Sequence, residues 1–552
     1  MVIYPESFSL RPNTEATLAF RNLFNNTSKT SVHKNLTLLK GNYVFQSKNA
    51  DVREMYISNT IGEGEYSADA QKNIHKTAIV IENITDMEID FNDSTFIMDG
   101  KMTHILIKNC DRLVLKNLNI SAVMPNVHKM TVVKASPFYV TFEIDSSSKF
   151  GEENGEYYWY GTDYKLKFTD YQNGGGWMPT AKPRNFNHIK RNSAHPLRGA
   201  STIKQVADRL FSVRYISPKN YEVGQVFYVY PTVREEVGIF IEGSKNITLQ
   251  NITQRFNYSL AVVAQDSTNI TVDSCDFSPE PGAEVDFTSF ADFMQFSMCR
   301  GKIKVTDNNF SSAGDDACNV HGFHFKITEC KGDRLTVKFC HHQSYGFRCI
   351  HEGDIIAFID PDTLLEVGRT KVLKAELRDK YYYDITTACL EAPLGVGGVI
   401  ENISACPDFE FSGNTINRIV TRGILVTTRG KVRIENNKFL NTGASGILIS
   451  DDASDWYESG CVQDVIIRGN AFMNCEENAI LIKPENKRFG GYVHSGILIE
   501  NNLFVMNNAH VLNASSTSGI TMRANVYKGT PLKGKWIVTE NCENVSTDAP
   551  IG

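Results

Sequence analysis

An all-β fold, a right-handed parallel β-helix with two inserted antiparallel β-barrel-like modules, is predicted by three observations. A short phrase recurs about every 23 residues, the phrase alternates apolar and polar residues, and the recurrence stops in two long stretches. Asn246-Ile247-Thr248-Leu249 returns 23 positions later as Asn269-Ile270-Thr271-Val272. Toward the C-terminus it becomes Val432-Arg433-Ile434-Glu435-Asn436-Asn437-Lys438-Phe439, then Val465 to Phe472, Ile497 to Phe504 and Ile520 to Tyr527. Alternation at period two buries one face of a strand, and a closing Asn or Gly tolerates the left-handed turn that ends it. One coil cannot bury its own apolar face, so the coils must stack and bring identical side chains into ladders.

Each element follows from that frame. Residues 1–125 hold the first coils, around Asn35 to Leu39, Ile84 to Phe96 and Cys110 to Ile120. Residues 126–236 are rich in Tyr, Trp and Gly, with a longer alternating strand from Pro137 to Ile144, and read as the first inserted module. Ser201 to Leu210 is the best helical candidate in the chain. Coils resume over 237–322. Charged turns at Lys331-Gly332-Asp333 and Asp360-Pro361-Asp362 mark 323–400 as the second module. Residues 401–552 close the helix. Intervals of 33 and 32 between Phe439, Phe472 and Phe504 imply loops of about ten extra residues, one of them containing Asp451 to Gly460, and such loops tend to gather on a binding face.

Composition narrows the classes. Of 552 residues 41% are hydrophobic and 22% charged, which is globular rather than disordered. The net charge is −6, the pI about 6.1, and no Lys/Arg run appears, which argues against nucleic acid as a partner. No stretch of 18 apolar residues offers a membrane span. The twelve cysteines form no CxxC pair and read as small buried hydrophobes. Met1-Val2-Ile3-Tyr4-Pro5 lacks a basic stretch followed by an apolar one; a periplasmic or secreted location, with no leader in this chain, is the expectation. No apolar stripe demands an oligomer, and none is excluded.

Chemistry concentrates in Phe290-Ala291-Asp292-Phe293 and Ser312-Ala313-Gly314-Asp315-Asp316-Ala317-Cys318-Asn319-Val320-His321-Gly322. Asp292 and Asp315 are 23 residues apart, one coil, so Asp292 should lie beneath the Asp315/Asp316 pair. Crowded carboxyls oppose each other's ionisation, which suits a pair in which one donates a proton and another activates water. Adjacent residues on a strand face opposite ways, so a bend at Gly314 is needed to present both acids. Calcium is the other reading of three clustered acids, but no further oxygen ligands are evident nearby.

These residues resemble glycoside hydrolase family 110, the bacterial α-1,3-galactosidases. The resemblance rests on Gly314-Asp315-Asp316-Ala317-Cys318-Asn319-Val320-His321-Gly322 with Asp292 upstream. It extends to Arg422-Gly423-Ile424-Leu425-Val426-Thr427-Thr428-Arg429-Gly430, Asp455-Trp456-Tyr457-Glu458-Ser459-Gly460 and Tyr56-Ile57-Ser58-Asn59. It implies exo-acting removal of terminal α-1,3-linked galactose with inversion, from a blood-group B-type or linear α-galactosyl glycoconjugate, with no metal and no cofactor. By motif position Asp315 is the general acid, and Asp292 with Asp316 the general base. Asn319, His321, Arg422, Arg429, Trp456 and Glu458 are the candidate sugar contacts. The plain alternatives are that the arginines edge a solvated coil and that Trp456 packs a loop. Trp177 could reach the cleft from the first module, though a place in that module's core suits it better.

Two rival functions stand beside this one. A polygalacturonase-like hydrolase would need basic groups for a substrate carboxylate, and Phe323-His324-Phe325-Lys326 after the His-Gly supplies no evident pair. A non-catalytic glycan-binding β-helix, of the adhesin or tailspike kind, would not need the acids at all.

Overall fold

The computed structural model describes residues 1–27, 32–60, 73–169, 176–179, 195–230, 234–283, 287–388 and 392–549. Its body is a parallel β-helix of three ladders. The first runs through Lys34–Thr37, Thr85–Asp99, Asp111–Ala122, Lys245–Gln254, Thr268–Asp273, Arg300–Thr306, Asp408–Ser412 and onward to Glu543–Ser546. The second includes Asn309–Ala313, Thr415–Ile419, Lys438–Thr442 and Ala471–Met473. The third, which carries the site, stacks Thr103–Lys108, Ile239–Glu242, Val262–Gln265, Met294–Ser297, the start of Cys318–Lys331, Ile424–Val426 and Ile447–Ile449.

The recurring phrase does what its composition requires. Its aliphatic positions fill one continuous core, where Ile247, Ile270, Ile303, Val432, Ile467 and Ile499 are fully enclosed. Phe277, Phe310, Phe411, Phe439, Phe472, Phe504 and Tyr527 stack through it with centroids 4.8–6.4 Å apart. At one corner Asn308, Asn414, Asn437, Asn470, Asn502 and Asn525 form a buried ladder in which each Nδ2 donates to the next Oδ1 at 2.9–3.1 Å. That satisfies amides which would otherwise be costly to bury. Asn269 donates to Asn246 in the same way at the surface, at 2.9 Å.

Both inserts are antiparallel β modules. The first places Gly176–Pro179, Val226–Tyr230, His128–Ala135, Tyr139–Ile144, Leu210–Tyr215 and Ala200–Ala207 in one six-stranded sheet. A three-stranded sheet, Lys149–Glu153, Glu156–Tyr160 and Lys165–Lys167, shares its core through Trp159, Phe168 and Phe211. The expected helix at Ser201 to Leu210 is therefore a strand and a turn. Its helix-forming composition yields to pairing with Leu210–Tyr215, and Arg209 takes the left-handed turn at φ 57°. The side chain of Trp177 lies outside the described residues.

The second insert is a closed barrel. Cys318–Lys331, Arg334–Phe339, Tyr382–Thr387, Glu366–Leu377, Ile355–Ile359 and Val399–Asn402 pair in that order, and the last returns to the first through His324 and Glu401. Cys318–Lys331 is thus one 14-residue strand shared by the helix and the barrel.

The one α-helix among the described residues, Thr17–Asn26, was not evident from the coil period. It buries Phe20, Leu23 and Phe24 on one face and caps the first coils, Phe20 packing 5.5 Å from Phe45 and 5.4 Å from Phe96. No helix among the described residues is long and apolar enough to cross a membrane.

Candidate active site

The stacking that buries the core also assembles three carboxylates. Oxygens of Asp292, Asp315 and Asp316 lie within 4.8 Å of one another. The register here is 24 rather than 23, so Asp292 aligns with Asp316: the Asp316 amide donates to Asp292 Oδ1 at 3.2 Å, and the Phe293 amide to the Asp316 carbonyl at 2.9 Å. The chain bends at Gly314 and both acids turn to the same side. A side chain at Gly314 would strike the Phe290 carbonyl, 2.5 Å from where a Cβ would stand, so glycine is required for that approach.

Burial separates the three. Asp292 is 2% exposed and Asp316 0%, whereas the Asp315 side chain keeps 14%. Two guanidiniums answer the charge. Arg422 grips Asp316 through Nε at 2.9 Å and Nη2 at 2.8 Å, and Arg234 Nη2 donates to Asp315 Oδ2 at 2.9 Å. Thr421 Oγ1 bridges Asp315 and Asp316 at 3.1 and 2.6 Å. Asp292 is held by a neutral donor, Asn59 Nδ2, at 3.1 Å, and Arg234 also donates to Asn59.

Burial, then repulsion from Asp315 and Asp316, pushes the Asp292 carboxyl well above the usual carboxylate range, against the pull of Arg234 and Arg422. Burial also raises Asp316, with Arg422 opposing it. Asp292 and Asp316 therefore give up their protons less readily than isolated carboxylates would, and neighbours this close do not titrate independently. Three carboxylates at this spacing could also take a divalent cation. Here Arg234 and Arg422 already supply the countercharge, and no resident metal is needed to account for the cluster.

Two walls flank the acids. Glu458–Ser459 pairs with Gly322 and Phe323, where a Cβ on Gly322 would stand 2.7 Å from Ser459 Oγ. This brings Glu458 Oε1 to 3.1 Å from Asn319 Nδ2 and 3.6 Å from His321 Nε2. Trp456, 43% exposed, stacks at 4.4 Å on His341. A cavity of about 360 Å³ opens beside the trio, lined by Arg422, Leu425, Thr427, Asp452, Trp456 and Glu458. A larger hollow of about 680 Å³ lies around Tyr56, Asp266 and Arg300; neither cavity is lined by the three acids, and the smaller one adjoins them through Arg422.

The expected sugar contacts thus divide. Asn319, His321, Trp456 and Glu458 share one face with the trio. Arg422 borders the cavity, but its bidentate edge is committed to Asp316 rather than left for a hydroxyl. Arg429 is the correction: Nε and Nη2 donate to Glu401 Oε2 at 2.9 and 2.7 Å and Nη1 to Glu366 at 2.9 Å, so its fork is filled by protein carboxylates. Arg234 and Thr421 were missed. No motif announces them, and each is brought in by the stack or by an insert boundary.

A parallel β-helix with a walled cluster of carboxylates is an arrangement suited to a glycosidase, and the comparisons supply that class. A family model for the GLAA-B beta-barrel domain II matches residues 334–394, and one for a right-handed beta helix region matches residues 397–548. An alpha-1,3-galactosidase A of Bacteroides thetaiotaomicron is 34% identical over 504 residues, covering 89% of this chain and 86% of that relative. An alpha-1,3-galactosidase B of Phocaeicola vulgatus is 29% identical over 529 residues, covering 89% and 84%. An exopolygalacturonase of Thermotoga maritima superposes over 99% of this chain and 91% of its own with a TM-score of 0.42 and 9% identity, too loose a likeness to bear on the site. The chain belongs to the α-1,3-galactosidase family, glycoside hydrolase family 110, and is a glycosidase.

Proposed function

We propose that this protein is an exo-acting hydrolase that releases terminal α-1,3-linked galactose with inversion. Asp315 protonates the leaving oxygen, while Asp292 and Asp316 hold and deprotonate the attacking water. The reading rests on one observation: Asp315 is the accessible member of the trio, and the other two lie beneath it. The upward shift of Asp292 alone would make it the acid. Its depth argues against this, because its oxygens already accept from Asn59 and the Asp316 amide and a glycosidic oxygen has no approach to them.

Burial also supports inversion. A nucleophilic carboxylate must reach the anomeric carbon, whereas a water molecule can settle onto recessed acids. The trio is tighter than the roughly 6.5–9.5 Å usual for inverting pairs, so depth rather than spacing carries this assignment. Arg234, bonded to both Asn59 and Asp315, holds Asp315 in place beside the buried pair. Whether the galactose is borne on a branched fucosylated determinant or a linear chain is decided, on this reading, in the cavity beside Trp456.

The test is sugar release from α-1,3-, α-1,4- and α-1,6-linked galactosides, followed by NMR from the first seconds. Galactose from the α-1,3 substrate, appearing first as the β anomer, is expected. A first-formed α anomer would overturn the roles given to Asp292 and Asp316. Cleavage of polygalacturonate in place of any galactoside would overturn the substrate.

A further inference from the structure

After the strand Asp51–Glu54 the chain crosses the outer face of the third ladder toward the acids. Met55 and Ile57 are buried there in one cluster with Leu106, Phe240, Val263 and Ala291, residues of successive coils. Gln265 clasps the backbone of this segment from both sides. Its Nε2 donates to the Tyr56 carbonyl at 2.7 Å, and its Oε1 accepts from the Ser58 amide at 3.0 Å. Ser58 Oγ lies 2.6 Å from Ser297 Oγ. The segment is therefore a fixed strap, and it delivers Asn59, 6% exposed and left-handed at φ 59°.

The barrel pins the same strap. The Asn59 amide donates to the Gln343 carbonyl at 2.8 Å, and Tyr56 lies edge-on to Tyr345 with ring centroids 5.6 Å apart. Gly346, at φ 85°, lets the barrel loop close on Tyr56, whose ring a side chain there would strike. The same loop carries His341, which stacks on Trp456.

The Asn59 amide can sit only one way round. Arg234 Nη1 can only donate, so Oδ1 faces it, and Nδ2 is left to donate to Asp292 Oδ2 at 3.1 Å. Asp292 Oδ1 takes the Asp316 amide at 3.2 Å. Each carboxyl oxygen of Asp292 thus has one donor, and a neutral amide stands between Asp292 and Arg234. A guanidinium in that place would close on Asp292 as Arg422 closes on Asp316.

We propose that Asn59 is a positioning residue for Asp292, and that the barrel loop 341–347 sets it through the strap, so that the second module bears directly on the acids. The inference rests on the roles given to the trio and adds the groups that hold the base in place. The plain alternative is that Asn59 only anchors Arg234.

The experiment follows kcat and KM against pH on an α-1,3-linked galactoside, with thermal midpoints, for wild type, Asn59→Gly, Asn59→Asp and Tyr56→Leu. Glycine accepts the left-handed backbone without strain and removes both side-chain bonds. Aspartate keeps an oxygen for Arg234 but turns the donor to Asp292 into an acceptor. Both Asn59 variants should lower kcat by about 10- to 100-fold, with KM within about 3-fold. A donor to a carboxylate favours its ionised form, so the acid limb of kcat/KM should move up by about half a pH unit or more in Asn59→Gly, and further in Asn59→Asp. Tyr56→Leu, which removes the ring the barrel loop rests on, should move that limb the same way by less. A lower thermal midpoint with an unmoved limb, or wild-type turnover in Asn59→Asp, would leave Asn59 an anchor for Arg234 and overturn the positioning. An unmoved limb in Tyr56→Leu would overturn the part given to the barrel. Should wild type release no galactose, the proposed function falls, and carbon-13 NMR of labelled aspartates, with Asp292 assigned through Asp292→Asn, decides this one. A higher titration midpoint for Asp292 in Asn59→Gly than in wild type upholds it, and an equal or lower one overturns it.

Discussion

The trio of Asp292, Asp315 and Asp316 and the network of Glu401, Glu366 and Asp451 with Arg429 and His324 are made from the same parts, three acids and two basic side chains. They flank the same wall: Glu458 of the Trp456 loop faces the trio, and Asp451 and His324 anchor that loop's base, the His324 amide donating to the Tyr457 carbonyl at 2.9 Å. In the network every acid touches a base. Burial works to raise Glu401, but Arg429 overrides it and holds the carboxyl below its ordinary range. His324 Nε2 sits 2.7 Å from Asp451. In the trio Asp315 has Arg234 and Asp316 has Arg422, while the donors to Asp292 are neutral, and Asp292 is pushed up. Asp292, an acid without a cation of its own, is what sets the trio apart; burial also raises Asp316 and Asp451, each against the cation it touches.

The contrast breaks most sharply at Asp315. Asp315→Asn should lower kcat by about 10²–10⁴-fold, the usual range for a lost acid or base, with the thermal midpoint nearly unchanged. Full turnover in this variant would make the trio as structural as the network. Arg429→Met should do the reverse. Removing one partner of a buried pair costs roughly 3–5 kcal/mol in denaturant unfolding, while the folded fraction should keep kcat within a few-fold. A loss of turnover without a loss of stability would move Arg429 back among the sugar contacts.

The smallest effect sharpens the contrast through pH. Asp292 has its folded pKa raised above the unfolded value of about 3.9, so between the two values the folded state binds more proton than the unfolded state does. Its contribution is therefore best below that value and worsens as pH rises toward the folded pKa. Asp292→Asn should raise the thermal midpoint at pH 7, lose that gain near pH 4, and abolish hydrolysis. In Glu401→Gln, where the native pKa is lowered, the sign reverses: the variant should be less stable than wild type at pH 7, with the gap closing as pH falls. Equal pH responses in the two variants would erase the distinction.

Most of the architecture was legible in the sequence because a coil repeats its own chemistry. Ile247 over Ile270 and Phe439 over Phe472 are local patterns written many times. The acids were legible for the same reason, with an error of one residue in register that only the backbone between Asp292 and Asp316 resolves. Arg234 and Asn59 were not, because their meeting spans 175 positions and crosses the first insert. Arg422 and Arg429 look alike in one short motif. Which carboxylate each meets depends on the coil beneath and on the barrel, and the motif records neither. Ser201 to Leu210 shows the converse, a helix-forming composition drawn into a sheet by a neighbouring strand.

The strand Cys318–Lys331 leaves no seam between body and appendage. Its first residues lie beside the acids, its middle passes His324 to Asp451, and its last residues turn the barrel's hairpin at Gly332. Someone wishing to transplant or trim the barrel would have to cut that strand beyond His321 to keep Asn319 and His321 with the coils. New sequence could enter at the hairpin tip, about 30 Å of strand beyond the face where sugar would bind. Barrel and candidate site therefore share one continuous backbone, so a shift of the barrel along that strand would be felt at Asn319 and His321.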